Sequence, residues 1–226
     1  MKSEKINLLT QYCIDNLDFS NLGPQERYQS LSVCLLDCVF SLRARYYSTT
    51  VPVVERYAAK YMFGNMFSSG DTLCDFLHRI DESGGPEEFA ANVLCNRQTL
   101  SGRRKADICY EIAEKLFNQL SIDSIDDFQH YEKPELIEPV LRSVKGFGDA
   151  GINYLFMLAG DADRCKPDVH IHRCIKDALG EDVSNEECQA LLTGVTSMLK
   201  ANHPALTVRD LDYLIWEKYQ IGRRNS

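Results

Sequence analysis

Residues 136–177 read LIEPVLRSVKGFGDAGINYLFMLAGDADRCKPDVHIHRCIKD and carry the most informative pattern in the chain. One apolar helical stretch ends at Val144, a Gly-x-Gly turn follows at Gly146-Phe147-Gly148, and a second apolar stretch begins within four residues. Glycines in such a turn permit positive φ and let successive N–H groups come close to a ligand. Asp149 is expected to cap the second helix, whose positive end then faces the same spot, so that a phosphate can bind without any basic side chain. Taken alone, the turn is also what close packing of two helices requires. About twenty residues further on, Lys166-Pro167-Asp168-Val169-His170-Ile171-His172-Arg173 places an acid after a proline at the start of another apolar helix. Capping of that helix by Asp168 is the plain reading. Capping and function are compatible, because a carboxylate is favoured at a helix N-terminus and can still face a cleft.

Outward from this segment, apolar residues recur at three- and four-residue steps, most clearly at Ala106, Ile108, Cys109, Ile112, Ala113, Leu116, Phe117 and Leu120. The spacing predicts helices over 5–16, 24–42, 51–63, 71–80, 86–94, 102–120, 125–130, 134–144, 150–159, 168–179, 185–201 and 208–219. Pro24, Pro86 and Pro134 suit first-turn positions, and Gly64 and Gly180 suit helix ends. No alternating pattern argues for a strand. The expected fold class is all-α, as one domain or two lobes with a compact interface.

The composition is that of an ordinary globular chain: 226 residues, 44% apolar, 10% aromatic and 26% charged. Thirty-three acidic against 25 basic residues give a formal charge of −8, which argues against a generally basic nucleic-acid coat protein. No run of apolar residues is long enough to span a bilayer, and Met1–Leu8 is charged without a signal-peptide pattern. The expectation is an intracellular protein without a membrane partner. The nine cysteines include no Cys-x-x-Cys pair and no grouping with His at zinc spacing, so they read as reduced, mostly buried thiols. Cys188 is the single cysteine in the last forty residues, and an iron-sulfur cluster needs about four thiolates. No cofactor and no metal are expected.

Val144-Lys145-Gly146-Phe147-Gly148 followed by Pro167-Asp168-Val169-His170-Ile171-His172-Arg173 resembles the helix-hairpin-helix DNA glycosylase superfamily, which includes endonuclease III and the mismatch adenine glycosylases. In that family an apolar-Pro-Gly-Val-Gly hairpin precedes an apolar helix, a loop and a Val-Asp-x-His-Val-x-Arg segment. Weaker similarities extend the match from about Leu31 to Trp216: Ser41–Arg45 with Val51–Tyr57, Arg104–Ile108, and Leu211–Trp216. Asn153 stands where the family often has Asn.

The resemblance implies a two-lobed helical fold: a lobe over 23–163 that contains the hairpin, a second lobe from 1–22 and 164–226, and an active-site cleft between them. It implies that Asp168 is the catalytic carboxylate, activating a water or stabilising positive charge on the deoxyribose as the N-glycosidic bond breaks. Lys145, Gly146, Phe147, Gly148, Ala150 and Gly151 would hold the DNA backbone, with Arg43, Arg104, Lys105 and His170 as further contacts. The partner implied is double-stranded DNA with a damaged or modified base, which is rotated out of the stack. Tyr46 and Tyr47 line a base pocket by stacking in this reading, core packing being the other. Arg43 aligns with a Gln that fills the gap left by the flipped base in some relatives, a solvated arginine being the alternative.

Two departures bear on the chemistry. Ala150 occupies the slot in which bifunctional members carry a nucleophilic Lys, and alanine cannot form a Schiff base. The expected activity is therefore base removal without strand cleavage. Val39 aligns with the acid that mismatch adenine glycosylases use to protonate their substrate, and Asp37, two residues away, falls on another helix face. His170 and His172, two apart, do not share a helix face and have no third ligand close in sequence, so they do not read as metal ligands.

Basic residues concentrate near the matched motifs: windows 42–60, 97–105 and 141–176 carry +3, +4 and +2 within a chain of net −8. The expected consequence is weak non-specific DNA affinity and tight binding only to an altered base. Two rivals stand beside the glycosylase reading: a catalytically silent nucleic-acid-binding relative in which Asp168 is merely a cap, and a helical protein whose acidic surface binds another protein.

Overall fold

The computed structural model of the chain describes residues 2–22, 26–68 and 70–221. Among them are twelve α-helices: α1 Lys2–Asn16, α2 Leu31–Ser41, α3 Val51–Tyr61, α4 Leu73–Glu82, α5 Pro86–Asn92, α6 Lys105–Leu120, α7 Ile125–Gln129, α8 Ile137–Arg142, α9 Asp149–Leu158, α10 Val169–Leu179, α11 Asn185–Leu199 and α12 Val208–Ile221. The all-α expectation holds. Local chemistry sets many of the ends. Thr72 with Asp75 and Ser124 with Asp127 form reciprocal capping boxes on α4 and α7, Pro86 opens α5, and Gly180 closes α10 in the left-handed region. Pro24 lies outside the described residues.

Two departures from the predicted pattern have clear causes. The helix predicted from 102 begins at Lys105, because Thr99–Leu100 and Arg103–Arg104 pair as a short antiparallel ribbon, β1 and β2. Its two-residue turn, Ser101-Gly102, has positive φ at both positions, as the hairpin turn that matches strand twist requires. Strands of two residues are too short to show alternation, so no periodicity could disclose them. The stretch 134–144 divides into a 3₁₀ turn at Pro134–Leu136 and the six-residue α8.

The chain divides into two compact units, Glu26–Gly160 and Met1–Gln25 with Asp161–Ser226. In the Glu26–Gly160 unit α2 is buried from Leu31 to Phe40, as an all-round apolar helix must be, and α3, α6 and α9 pack around it. Tyr57, Phe76 and Phe89 meet edge to face beside it, with Tyr57 and Phe76 centroids 5.6 Å apart. In the other unit α1 packs on α10 and α11, and α12 packs on both of these. Leu9, Cys13, Cys174, Leu192, Val195 and Ile215 form its core. All nine cysteines are free thiols, with Cys74 and Cys95 exposed and the rest buried. Among the described residues no helix is long and apolar enough to cross a membrane.

Candidate functional site

The turn between α8 and α9 is built on two apolar anchors. Val144 and Phe147 are both buried in the core of the Glu26–Gly160 unit, and the Phe147 N–H donates to the Val144 carbonyl at 3.1 Å. Phe147 is thereby corrected from a DNA contact to the side chain that ties the turn down. Between the anchors Lys145 is exposed, and Gly146 has φ +93°, where a Cβ would be strained. The Lys145 carbonyl accepts from Arg103 Nη1 at 3.0 Å, and the space beside Gly146 is closed by the Leu100 carbonyl and Ser101 of the ribbon turn. The ribbon that the sequence concealed thus braces this turn.

Gly148 is exposed, extended and the N-cap of α9, with no side-chain cap bond at that end. Asp149, expected as the cap, is instead the first helical residue, and its carboxylate pairs with Arg142, which also holds Glu138 at 2.7 Å. The first amides of α9 lack partners within the helix, as at any helix start, so the turn offers N–H groups and a partial positive charge. Gly151 is buried: a Cβ there would lie 2.5 Å from the Phe147 ring and 3.2 Å from Leu42 Cδ1. Its glycine therefore answers to packing of α9 on the turn and the end of α2, and its carbonyl accepts from Cys38 Sγ at 3.1 Å. Ala150 is half-buried.

Leu42 leads directly into the segment that carries Arg43, Arg45, Tyr46 and Tyr47. Arg43 is exposed with φ +53°, Arg45 is exposed, and Tyr47 is 54% exposed. Tyr46 opens a five-residue π-turn, Tyr46–Thr50, and its hydroxyl donates to Asp37 at 2.7 Å. Tyr28 and Tyr154 donate to the same buried carboxylate at 2.8 and 2.9 Å. Burial, followed by the charge of Asp37, pushes all three phenols well above their ordinary range. Tyr46 is thus committed to a buried polar knot, which corrects its assignment as an open stacking face. An acid inside the apolar run LSVCLLDCVFS was the available signal for Asp37.

The basic window 97–105 is largely neutralised. Arg104 pairs with Glu87 at 2.8 Å and Asp107 at 3.2 Å, and Arg103 pairs with Glu111 at 2.7 Å. Lys105 is buried, donating to the Phe40 carbonyl at the end of α2 at 2.9 Å and to Gln98 Oε1 at 3.0 Å. It closes a helix C-terminus and does not face solvent, so its expected role as a DNA contact is corrected.

Asp168 belongs to the other unit. It is the N-cap of α10, half-buried, and Oδ1 accepts from the His170 and Ile171 amides at 2.8 and 3.4 Å, which leaves Oδ2 outside the cap. His170 is 6% exposed and is corrected from a surface contact to a buried residue. His172 meets Asn185 at 3.0 Å and Cys188 Sγ at 3.6 Å, and among the described residues no three His, Cys, Asp or Glu side chains are grouped as a metal ion requires. The loop before Asp168 is fixed from both flanking helices. Gln189 of α11 accepts from the Cys165 amide at 2.9 Å and donates to the Asp163 carbonyl at 2.8 Å, while Asp212 of α12 accepts from the Lys166 amide at 2.8 Å. Asp212 is buried, and burial first, then the charge of Asp168, pushes it up to about 8 against the opposing pull of the Lys166 amide and the Lys166 and Arg209 charges. Asp212 entered the sequence reading only within the Leu211–Trp216 similarity, with no role of its own, and Gln189 was not singled out.

With this geometry in hand, the chain is placed by comparison: it belongs to the family described as a domain of unknown function, DUF8548, whose model matches residues 7–220. No curated protein and no solved structure matches the chain.

Proposed function

We propose that the chain is a monofunctional DNA glycosylase of helix-hairpin-helix type, which removes a damaged or modified base from double-stranded DNA without cutting the strand. The observation that carries this reading is the braced turn at Lys145–Gly148, which exposes a lysine and an uncapped helix start while Val144 and Phe147 hold it from below. Arg43, exposed and in a left-handed conformation on the segment leaving α2, supports a contact with the place vacated by a flipped base. Asp168 supplies the reacting carboxylate. The bond between C1′ and the base nitrogen breaks with its electron pair leaving on the base, and Asp168 stabilises the positive charge on the sugar. Water adds its oxygen to C1′ and gives one proton to Asp168, which passes on to the departing base, so the products are a free base and an abasic site. Ala150 provides no amine, so no covalent adduct forms.

The test is a panel of duplexes carrying uracil, oxidised or alkylated bases, assayed for abasic sites with and without alkali. Strand breaks appearing only after alkali, and loss of excision by about a hundredfold or more in Asp168→Asn, are expected. Borohydride trapping of a protein–DNA adduct would contradict the role given to Ala150. One observation favours a second reading, a silent DNA-binding relative: Asp168 Oδ1 is engaged as a helix cap. That reading predicts no abasic sites from any duplex, together with DNA binding that weakens in Gly146→Ala.

A further inference from the structure

Asp212 is a buried acid to which the proposed reaction gives no task. It accepts the Lys166 amide at 2.8 Å, and two residues on, the Asp168 amide turns back to the Lys166 carbonyl at 2.6 Å. Asp168 then caps α10 through Oδ1. The result is a short chain of contacts from the first turns of α12, through one peptide, to the carboxylate at the start of α10. The Arg209 amide, one turn earlier on α12, donates to the Ala162 carbonyl at 3.1 Å and ties the same helix to the same loop.

We propose that Asp212 is a positioning residue for Asp168: in its neutral, protonated form it pins the Lys166–Asp168 loop, and on ionisation it loosens that loop and sets an alkaline limit on the reaction. This rests on the reading of Asp168 as the reacting carboxylate. The two acids are driven apart in role by their surroundings. Asp212 is 8% exposed and takes the Lys166 amide as its donor, whereas Asp168 is half-buried at a helix N-terminus that favours charge. A second negative charge beside Asp168, out of water, is costly, and opening of the loop to admit water relieves it. The groups that face Asp212 are Asp168 at the start of α10, Lys166 and the Cys165 thiol in the loop, and Arg209 on its own helix. From α11 the Cys188 thiol, raised to about 11 mainly by burial, lies within the field of Asp168, and His170 sits in the first turn of α10. Burial and the Asp168 charge together put the ionisation of Asp212 at about 8.

The experiment uses the full chain as wild type, Asp212→Asn and Asp212→Ala. Single-turnover excision is followed from about pH 6 to about pH 9, with the Asp212 side-chain carboxyl carbon and the protection factor of the Lys166 amide read by NMR over the same range. Asparagine retains an oxygen for the Lys166 N–H and carries no charge, so it mimics the neutral acid. The expected result is a carboxyl that titrates near 8, with wild-type rate and Lys166 protection both falling above it. Asp212→Asn is expected to keep the rate at about pH 6 within about threefold and to lack both alkaline losses, while Asp212→Ala loses about tenfold or more and the Lys166 protection with it. Persistence of the alkaline fall in Asp212→Asn, or a wild-type rate in Asp212→Ala, overturns the proposal. Should Asp212→Ala fail to fold, Asp212→Asn alone decides. If the wild type excises no base, the glycosylase reading falls, and the NMR arm still judges the loop pin: titration near 8 with loss of Lys166 protection upholds it, and titration in the ordinary carboxylate range overturns it.

Discussion

Two buried carboxylates, one in each unit, are held in opposite ways. Asp37 on α2 receives three tyrosine hydroxyls, from the segment before α2, from the π-turn and from α9. Asp212 on α12 receives a backbone amide and shares its surroundings with a second acid. Donors convert a buried charge into a fixed structural joint; a shortage of donors leaves a proton that moves near neutral pH. The Asp37 knot joins the elements that carry Arg43, Tyr47 and the start of α9, and so braces the surface proposed to face DNA. The Asp212 contact holds the loop before Asp168 only while its proton stays.

The comparison breaks most visibly if Asp37 can be removed cheaply. Asp37→Ala strands three partly buried phenols at once, so a loss of about 3–5 kcal/mol is expected in urea unfolding. A loss below about 1 kcal/mol would show that the knot is not a joint. Lys105→Met is expected to cost less, about 2–3 kcal/mol, because it leaves the Phe40 carbonyl and Gln98 without the ammonium. The same variant should leave the salt dependence of DNA binding unchanged. Any weakening of DNA binding beyond the stability loss would return Lys105 to the surface role its sequence position suggested.

Lys105 also shows why parts of the site were not legible beforehand. In Arg103-Arg104-Lys105 three cations stand together at a helix start, and nothing local distinguishes the one that turns inward to a carbonyl 65 residues earlier. Asp37 has the same character, since its donors lie 9 residues before, 9 after and 117 after it. Features that depend on spacing within one element were readable: the apolar period of α6, the cap at Asp168, the Gly146 turn. Gly148 rather than Asp149 became the cap because Phe147 packs inward and carries the chain into α9 one residue sooner than the acid would start it. Asp212 stood in the Leu211–Trp216 similarity without a role, and its partner peptide 46 residues away gives it meaning.

Of similar size is the pH dependence that Asp212 gives to folding. Its folded pKa of about 8 lies above the ordinary value near 3.9, so the folded chain keeps a proton that the unfolded chain has lost. The stability it contributes is complete below about pH 4, declines as pH rises toward 8 and changes no further above that. Relative to Asp212→Asn, the wild type should therefore weaken by about 3–4 kcal/mol between about pH 5 and about pH 8 in urea titrations. A gap that stays constant across this range would show that Asp212 keeps no proton on folding that the unfolded chain has lost.

The finest test separates an exposed cation from a buried one within a single unit. Lys145 is exposed at the top of the α8–α9 turn, with its carbonyl held by Arg103, so its ammonium can meet a phosphate without rearrangement of the backbone. Each phosphate neutralised by a protein cation contributes about 0.9 to the slope of log affinity against log salt. Lys145→Ala should therefore lower that slope by about one and weaken binding to all duplexes alike, with the unfolding midpoint unmoved. Lys105→Met should do the reverse, shifting the midpoint and leaving the slope alone. If both substitutions lower the slope, burial of Lys105 is not what divides the two lysines; if neither does, the turn is a packing device and the phosphate contact proposed for Lys145 is wrong.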